Sequence, residues 1–109
     1  MVKKDFKNLM TEIADFLAVV GAEEGILFGS RAKGEELKTS DVDLIVISRK
    51  FAQQPFPERL VKLQQHWKLP LFLEALAYTP DELKRLAKTR GVVAEALKSG
   101  KKIKPKRVA

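Results

Sequence analysis

The sequence predicts an α+β fold in which helices pack against a small β-sheet. Its 109 residues suit one domain with one hydrophobic core. Short apolar runs with strand character alternate with segments whose apolar residues recur every three or four positions, as in amphipathic helices. The resulting order is helix, strand, strand, helix, strand, helix, helix, and no repeat or low-complexity segment interrupts it. The pattern leaves the directions of the strands undetermined.

The first half of the chain predicts one helix and two strands. The helix has a single apolar stripe that stops before Gly21 and consists of Phe6, Leu9, Met10, Ile13, Phe16, Leu17 and Val20. A short buried strand is predicted at Ile26–Phe28, between two glycines, and a second at Val42–Ser48. The segment from Ser30 to Asp41 between these strands is short, but it has room for one helical turn.

The second half continues the alternation. Thr79-Pro80-Asp81-Glu82 is a strong helix start, because Thr79 can cap the helix, Pro80 suits its first turn and Glu82 completes a capping box. The predicted elements are a loop at 49–57, a helix at 58–67, a strand at 71–78, a helix from 80 to about 89, and a short helix at 92–97 that Gly100 ends.

Composition excludes several classes of protein. No apolar run approaches the roughly 20 residues needed to span a bilayer. Asp5 and the polar residues after it interrupt any signal-peptide core. The chain has no cysteine, which fits a reducing compartment, and we expect a cytoplasmic protein.

The net charge is +7, and basic residues crowd the last twelve positions. One interpretation is a contact with nucleic acid or with an acidic protein surface. The favoured alternative is a solvated tail, because no aromatic residues stand between the basic ones to stack on bases.

The first candidate site is the turn at Gly29-Ser30, where a strand ends. Glycine lets the backbone approach a ligand closely, and amide groups at a turn attract anions. The Ser30 hydroxyl and the planar guanidinium of Arg31 can add hydrogen bonds to phosphate oxygens. The turn is not a Walker A loop, since Glu35 stands where that motif requires lysine. The alternative is an ordinary junction between a strand and a turn.

The second candidate site consists of carboxylates. Asp41 and Asp43 lie two positions apart at the start of a strand and therefore share one face, where they repel each other unless a cation such as Mg²⁺ lies between them. Glu74 lies inside an otherwise apolar strand, where a charge is costly unless it is paired or binds metal. If the two strands are neighbours, three carboxylates converge and can hold two metal ions for phosphoryl chemistry.

Two simpler interpretations of the carboxylates remain open. Asp41 can belong to a turn while Asp43 ends a solvated strand. Glu74 can face water on an edge strand or pair with a lysine.

Gly29-Ser30, ten intervening residues and Asp41-x-Asp43 resemble the signature of the DNA polymerase beta nucleotidyltransferase superfamily. The small size, the sequence GSRAKGE and the sequence EALAYTPDEL are similar to its minimal nucleotidyltransferase (MNT) branch. The resemblance covers roughly residues 5 to 100. Glu74 departs from the pattern, because the family often has aspartate there.

The resemblance implies a nucleotidyltransferase-like α+β fold, a small mixed sheet with helices packed against it. We expect this domain over residues 1–100, and the crowding of basic residues predicts a C-terminal tail at 101–109. The resemblance also implies transfer of a nucleoside monophosphate, AMP from ATP, to a hydroxyl acceptor with two Mg²⁺ ions as cofactors. Gly29, Ser30 and, by a more cautious extension, Arg31 would bind the triphosphate. Asp41, Asp43 and Glu74 would be the catalytic and metal-binding residues.

MNT proteins are typically paired with a small all-helical HEPN protein, and this implies a partner. In such pairs the MNT protein is an antitoxin and can transfer AMP to a tyrosine of the HEPN toxin. The competing hypotheses are a non-catalytic module that binds nucleotide or a partner and inhibits by occlusion, transfer to a small molecule such as an aminoglycoside, and nucleic-acid binding through the tail.

Three single residues complete the candidates. His66 and Trp67 lie together at the end of a predicted helix, where a packing role is expected. Tyr78 is expected in the core or at a strand end, with self-modification as the alternative because it shares a strand face with Glu74.

Overall fold

The computed structural model describes residues 2–29 and 41–106, with the side chains from Asn8 onward. Within these residues the chain forms four α-helices and four strands. They are α1 (Val2–Val19), β1 (Glu24–Phe28), β2 (Val42–Ile47), α2 (Phe56–His66), β3 (Leu73–Tyr78), α3 (Pro80–Ala87), α4 (Val92–Ser99) and β4 (Lys101–Ile103), with a short 3-10 helix at Arg49–Gln53. No helix in this part of the chain is both long and apolar enough to cross a membrane.

The strands form one mixed sheet in the order β3-β2-β1-β4. β1 pairs antiparallel with both β2 and β4, whereas β2 and β3 are parallel. The parallel pair is possible because the 3-10 helix and α2 provide the crossover between β2 and β3. The predicted α+β class with a small mixed sheet is confirmed.

Successive side chains along each strand point to opposite faces of the sheet. Apolar side chains lie on both faces, and helices cover both. One face packs against α1 and α2 through a cluster that includes Ile13, Leu17, Leu27, Leu44, Val46, Leu63 and Leu73. The other face packs against α3 and α4 through Ile26, Ile45, Ile47, Val93 and Ala96. The second cluster is the smaller one and leaves one end of its sheet face free for polar residues.

Local signals set the ends of the helices. After α1, the N–H of Ala22 donates to the carbonyl of Leu17 and the N–H of Gly21 donates to that of Ala18. Gly21 has a φ of 71°, so this is a Schellman motif with glycine at its left-handed position. At the start of α3, Thr79 and Glu82 form the predicted capping box.

The structure differs from the prediction in the segment 49–57. This segment was predicted as a loop, but it begins with the 3-10 helix, and α2 starts at Phe56 with Pro55 as its N-cap residue. Pro55 therefore precedes α2, and Pro57 lies in its first turn. Proline is compatible with a first helical turn because its missing N–H would have no intrahelical acceptor there.

The segment after Gly100 is attached to the domain as far as the structure describes it. β4 pairs with β1, and Ile103 is buried opposite Gly25. Beyond the strand, the backbone N–H of Lys106 donates to the carbonyl of Ala14, and the Lys104 ammonium lies 3.2 Å from a carboxylate oxygen of Glu24. The sheet thus extends three residues into the segment that the sequence predicts as a tail.

Candidate active site

Two of the three candidate carboxylates lie in one row across the sheet. Glu74 of β3 is the direct neighbour of Asp43 in the parallel β2–β3 pair, and Phe28 of β1 is the direct neighbour of Asp43 on its other side. The next row on the same face holds Ile26 and Ile45, which are buried beneath α4. The polar row is therefore the end of the face that the α3–α4 cluster leaves uncovered.

The environment of Asp43 is that of a carboxyl group that binds a proton or a cation. Its pKa is raised from 3.8 to about 6, first by burial, then by a hydrogen bond with Glu74 and by repulsion from Glu74 and Asp41. A hydrogen bond between two carboxyl groups requires that one of them carry a proton. Above this pKa the ionised carboxylate of Asp43 is repelled by that of Glu74.

Asp41 lies just before β2 and is partly buried. Its charge has the smallest of the four effects on the pKa of Asp43. In the described residues no three His, Cys, Asp or Glu side chains are placed so that together they could hold one metal ion. The structure thus joins Asp43 and Glu74, whereas Asp41 acts on Asp43 only through its charge.

These residues fit a divalent cation as an incomplete set of ligands. Two adjacent carboxylates that repel each other gain from a hard cation between them, and Mg²⁺ is usually held by one or two carboxylates together with substrate phosphates and water. Glu74 is exposed on an outer strand, as the simpler interpretation predicted, but it is hydrogen bonded to Asp43, and no lysine of the described residues pairs with it.

Gly29 brings the end of β1 against this pair. Its φ is 76°, a conformation that L side chains rarely adopt, and a Cβ atom built on it would overlap Oδ2 of Asp43. Both observations require glycine at this position. The backbone at Gly29 therefore lies directly beside the carboxyl group of Asp43, as a turn that binds phosphates next to a metal would require. Ser30 and Arg31 lie outside the described residues.

A groove of about 570 Å³ opens beside the carboxylates. Its walls include Asp43 and Glu74, and its apolar part includes Phe28, Phe72 and Val92. None of these three apolar residues was predicted to belong to the site. The alternating pattern of β3 indicates that Phe72 shares the face of Glu74, but only the packing of α4 over the sheet brings Val92 to the same groove.

The remaining candidates lie away from the carboxylates. Trp67 donates from Nε1 to the carbonyl of Leu71 at 2.7 Å and packs edge-on against Phe16, which is the predicted packing role. His66 donates from Nδ1 to the carbonyl of Lys62 in its own helix. Tyr78 ends β3 with its ring 5.7 Å from that of Phe56. It is four residues from Glu74, or roughly 13 Å along a strand, which is far for self-modification within one molecule.

A second network lies at the far end of β3 and was not predicted. Arg59 is 5% exposed and donates to both carboxylate oxygens of Glu82, at 2.7 and 3.1 Å, and to the carbonyls of Ala77 and Gln54. These bonds tie α2, β3 and the capping box of α3 together. The neighbouring cavity of about 620 Å³ contains Arg59 and Tyr78 but neither Asp43 nor Glu74.

Comparison with known proteins identifies the family of the domain. A family model described as a nucleotidyltransferase domain matches residues 11–104, which is most of the chain. The chain belongs to the nucleotidyltransferase domain family. The match includes Gly29, Asp43 and Glu74, and this nucleotidyltransferase domain accordingly acts in nucleotidyl transfer.

One solved structure gives independent support for the fold. It is a crystal structure from Sulfolobus solfataricus with a provisional assignment as a nucleotidyltransferase, and it superposes on this nucleotidyltransferase domain with a TM-score of 0.60. The similarity covers 77% of this chain and 78% of the other, at 19% sequence identity. No curated protein matches the sequence.

Proposed function

We propose that this domain transfers AMP from ATP to a protein hydroxyl in a reaction that depends on Mg²⁺. The observation that carries the proposal is the contact between Asp43 and Glu74, with the backbone of Gly29 packed against Asp43. In the reaction the acceptor oxygen bonds to the α-phosphorus as the bond to the bridging oxygen breaks. Pyrophosphate leaves, and the acceptor proton passes to a carboxylate or to water.

The residues divide between two roles. Gly29, Ser30 and Arg31 bind the triphosphate through backbone amides, a hydroxyl and a guanidinium. Asp41, Asp43 and Glu74 hold the metal, with Glu74 also able to accept the proton of the attacking hydroxyl. Mg²⁺, when bound, neutralises charge on the transferring phosphate. The incomplete ligand set on the protein fits a site that the phosphates of the substrate complete.

The acceptor we propose is the tyrosine of a small all-helical HEPN-type partner, with this domain as the MNT antitoxin of a cytoplasmic pair. The resemblance of the motif and of the GSRAKGE and EALAYTPDEL segments to MNT proteins supports this choice. The exposed position of Glu74 on an outer strand also supports it, because a protein acceptor needs open access to the carboxylates.

The test is to incubate the domain with its HEPN-type partner and Mg·ATP and to measure intact masses. We expect the partner to gain the mass of AMP, with loss of the gain in Asp43→Asn and after chelation of Mg²⁺. Glu58→Gln is the matched control, since it removes an exposed carboxylate on α2 that does not line the groove beside Asp43 and Glu74. An unmodified partner after incubation with the wild-type domain would contradict the proposal.

The second candidate function is inhibition by occlusion without catalysis. In this alternative the contact between Asp43 and Glu74 serves structure or regulation and not transfer. Equal neutralisation of the partner by the wild-type domain and by Asp43→Asn would support occlusion. Loss of neutralisation in Asp43→Asn, with partner binding intact, would exclude it and favour transfer.

A further inference from the structure

Within the described residues β3 is an outer strand of the sheet, and its free edge has a distinctive pattern. Val42 N–H donates to the Phe72 carbonyl at 2.8 Å, and Ser48 N–H donates to the Tyr78 carbonyl at 3.0 Å. Peptide groups alternate in direction along a strand. The N–H and C=O groups of the even-numbered residues of β3 therefore bond to β2. The N–H and C=O groups of Leu73, Ala75 and Ala77 point away from the sheet.

Side chains of α2 already donate hydrogen bonds to two of the outward carbonyls. Gln64 donates from Nε2 to the Leu73 carbonyl at 2.9 Å, and Arg59 donates from Nη1 to the Ala77 carbonyl at 3.0 Å. Ala75 lies between them, and its N–H and C=O have no hydrogen-bond partner in the part of the chain that the structure describes. The carbonyls of Leu73 and Ala77 are thus already hydrogen bonded, whereas both backbone polar groups of Ala75 are available to a partner.

The groove of about 570 Å³ runs across this open point. Leu60 and Gln64 line it on one side of the strand, and Asp43, Glu74 and Val92 line it on the other. Phe72, at its rim, is 65% exposed. The groove therefore connects the free backbone groups of Ala75 with an apolar surface and with the two carboxylates.

We propose that the edge of β3 at Ala75 is the docking site for an extended segment of the acceptor polypeptide. The segment pairs with the N–H and C=O of Ala75, places an apolar side chain in the groove and presents its hydroxyl residue beside Glu74. Added strands lie about 4.8 Å from their neighbours, so a side chain directly opposite Glu74 is roughly 5 Å away. This inference rests on the proposed function and names the form in which its acceptor binds.

The geometry favours a polypeptide over a small-molecule acceptor. A peptide chain satisfies both the donor and the acceptor of Ala75 at once, as in other cases of β-strand addition. A small hydroxyl compound that reached Glu74 would leave the peptide group of Ala75 and the apolar groove unused. The net charge of +7 additionally attracts a partner that is acidic on the whole.

The test compares two tyrosine acceptors with [α-³²P]ATP and Mg²⁺. One is a pool of dodecapeptides with a central tyrosine and random flanks, and the other is N-acetyltyrosinamide, which has the hydroxyl but no chain to pair. We expect the wild-type domain to label the peptide pool at least tenfold faster at equal tyrosine concentration. Equal labelling of the two acceptors would overturn the inference.

Two variants test the edge itself. Ala75→Pro removes the outward N–H at a position where an edge strand tolerates proline, and Phe72→Ser removes the exposed apolar rim. We expect each to reduce peptide labelling at least tenfold and to reduce labelling of N-acetyltyrosinamide by a much smaller factor. Val61→Ser is the control, because Val61 is a similarly exposed apolar residue, 57% accessible, outside the groove.

Calorimetric titration of Mg·ATP into the same proteins separates the possible failures. Peptide labelling that is unchanged in both variants would overturn the docking site. Wild-type protein that binds Mg·ATP but labels neither acceptor would also overturn it, because the peptide alone should suffice. Wild-type protein that does not bind Mg·ATP would contradict the proposed function and this inference together.

Discussion

Asp43 and Glu74 are direct neighbours across the only parallel pair of strands in the described sheet, and their carboxyl groups are hydrogen bonded. Residues that are 31 positions apart in the sequence are thus close enough for their carboxyl groups to share one proton. Burial and the nearby negative charges raise the pKa of Asp43 to about 6. At neutral pH the repulsion between the two carboxylates destabilises the free protein, and a positively charged ligand would reduce that repulsion.

Asp43→Asn should preserve the fold but abolish metal-dependent transfer. Asparagine is nearly isosteric and removes the repulsion between the carboxylates, so we expect equal or greater thermal stability at pH 8. Metal neutralisation of a transferring phosphate is worth several kcal/mol, and 1.36 kcal/mol is tenfold in rate, so transfer should fall by about a thousandfold or more. Rate measurements beside thermal unfolding would check both. Wild-type turnover in Asp43→Asn would remove these carboxylates from the mechanism.

The stabilising effect of Mg²⁺ should depend on pH through Asp43. The folded pKa of about 6 lies above the ordinary value of 3.8, so stability declines as pH rises from about 4 through 6 and this carboxyl group ionises. Bound Mg²⁺ should offset the loss above pH 6 and have little effect at pH 5, where a proton occupies the site. Thermal unfolding at pH 5, 6 and 7.5, with and without Mg²⁺, would show it. The same increment in Asp43→Asn would be evidence against this assignment.

Gly29→Ala should disturb the site more than a matched glycine substitution elsewhere. Gly29 and Gly91 both have positive φ, at 76° and 143°, so alanine is strained at either position, by roughly 1–2 kcal/mol. Only at Gly29 does the new Cβ meet Asp43, since it finds open space at Gly91. We expect Gly29→Ala alone to weaken binding of Mg·ATP, as measured by calorimetry. Similar losses in both variants would indicate that strain, and not the contact with Asp43, matters.

The ion pair of Arg59 with Glu82 should make the protein sensitive to acid. The hydrogen bond from Arg59 lowers the pKa of Glu82 from 4.5 to about 2, so this stabilisation is fully present above pH 4.5 and is lost as pH falls toward 2. Glu82→Gln leaves a buried guanidinium without its counter-ion and should cost roughly 1–3 kcal/mol at pH 7. Asp81→Asn, an exposed change in the same helical turn, is the control for urea unfolding. Equal stability of the two variants would show that the pair contributes little.

Ile103→Ala should destabilise the domain although it lies in a basic, charged segment. Ile103 is 5% exposed and packs in the larger cluster, so its truncation should cost roughly 2–4 kcal/mol. The adjacent Lys102 is exposed on the same strand, and Lys102→Ala should cost less than about 0.5 kcal/mol. Urea unfolding of both variants measures the difference. If Ile103→Ala left the free energy of unfolding unchanged, β4 would be dispensable for folding.

Local patterns predicted what depends on local chemistry. The stripe of α1, its end at Gly21 and the capping box of Thr79 and Glu82 all agree with the structure. In each case the interacting groups lie within about five residues, so the sequence contains the whole interaction. The segment 49–57 was misjudged because its prolines suit a first helical turn as well as a loop.

The candidate site was predicted in part. Alternation along the strands placed Asp41 and Asp43 on one face and singled out Glu74 as a charge in an apolar run. The parallel pairing of β2 with β3 in a register that matches Asp43 to Glu74 is a long-range property, and it depends on how α2 crosses the sheet. The roles of Gly29, Asp41, Asp43 and Glu74 in binding, and of Ser30 and Arg31 beside them, stay predictions.

The sequence by itself determined the four α-helices, three of the four strands, the α+β class and the identity of the candidate residues, because these follow from periodicity and from the chemistry of single side chains. Only the tertiary structure decided which residues meet. It placed Glu74 beside Asp43, brought β4 to the edge of β1, buried Arg59 against Glu82 and left Ala75 open between Gln64 and Arg59. Each of these contacts joins distant parts of the chain, and their free energy depends on packing that no local pattern contains.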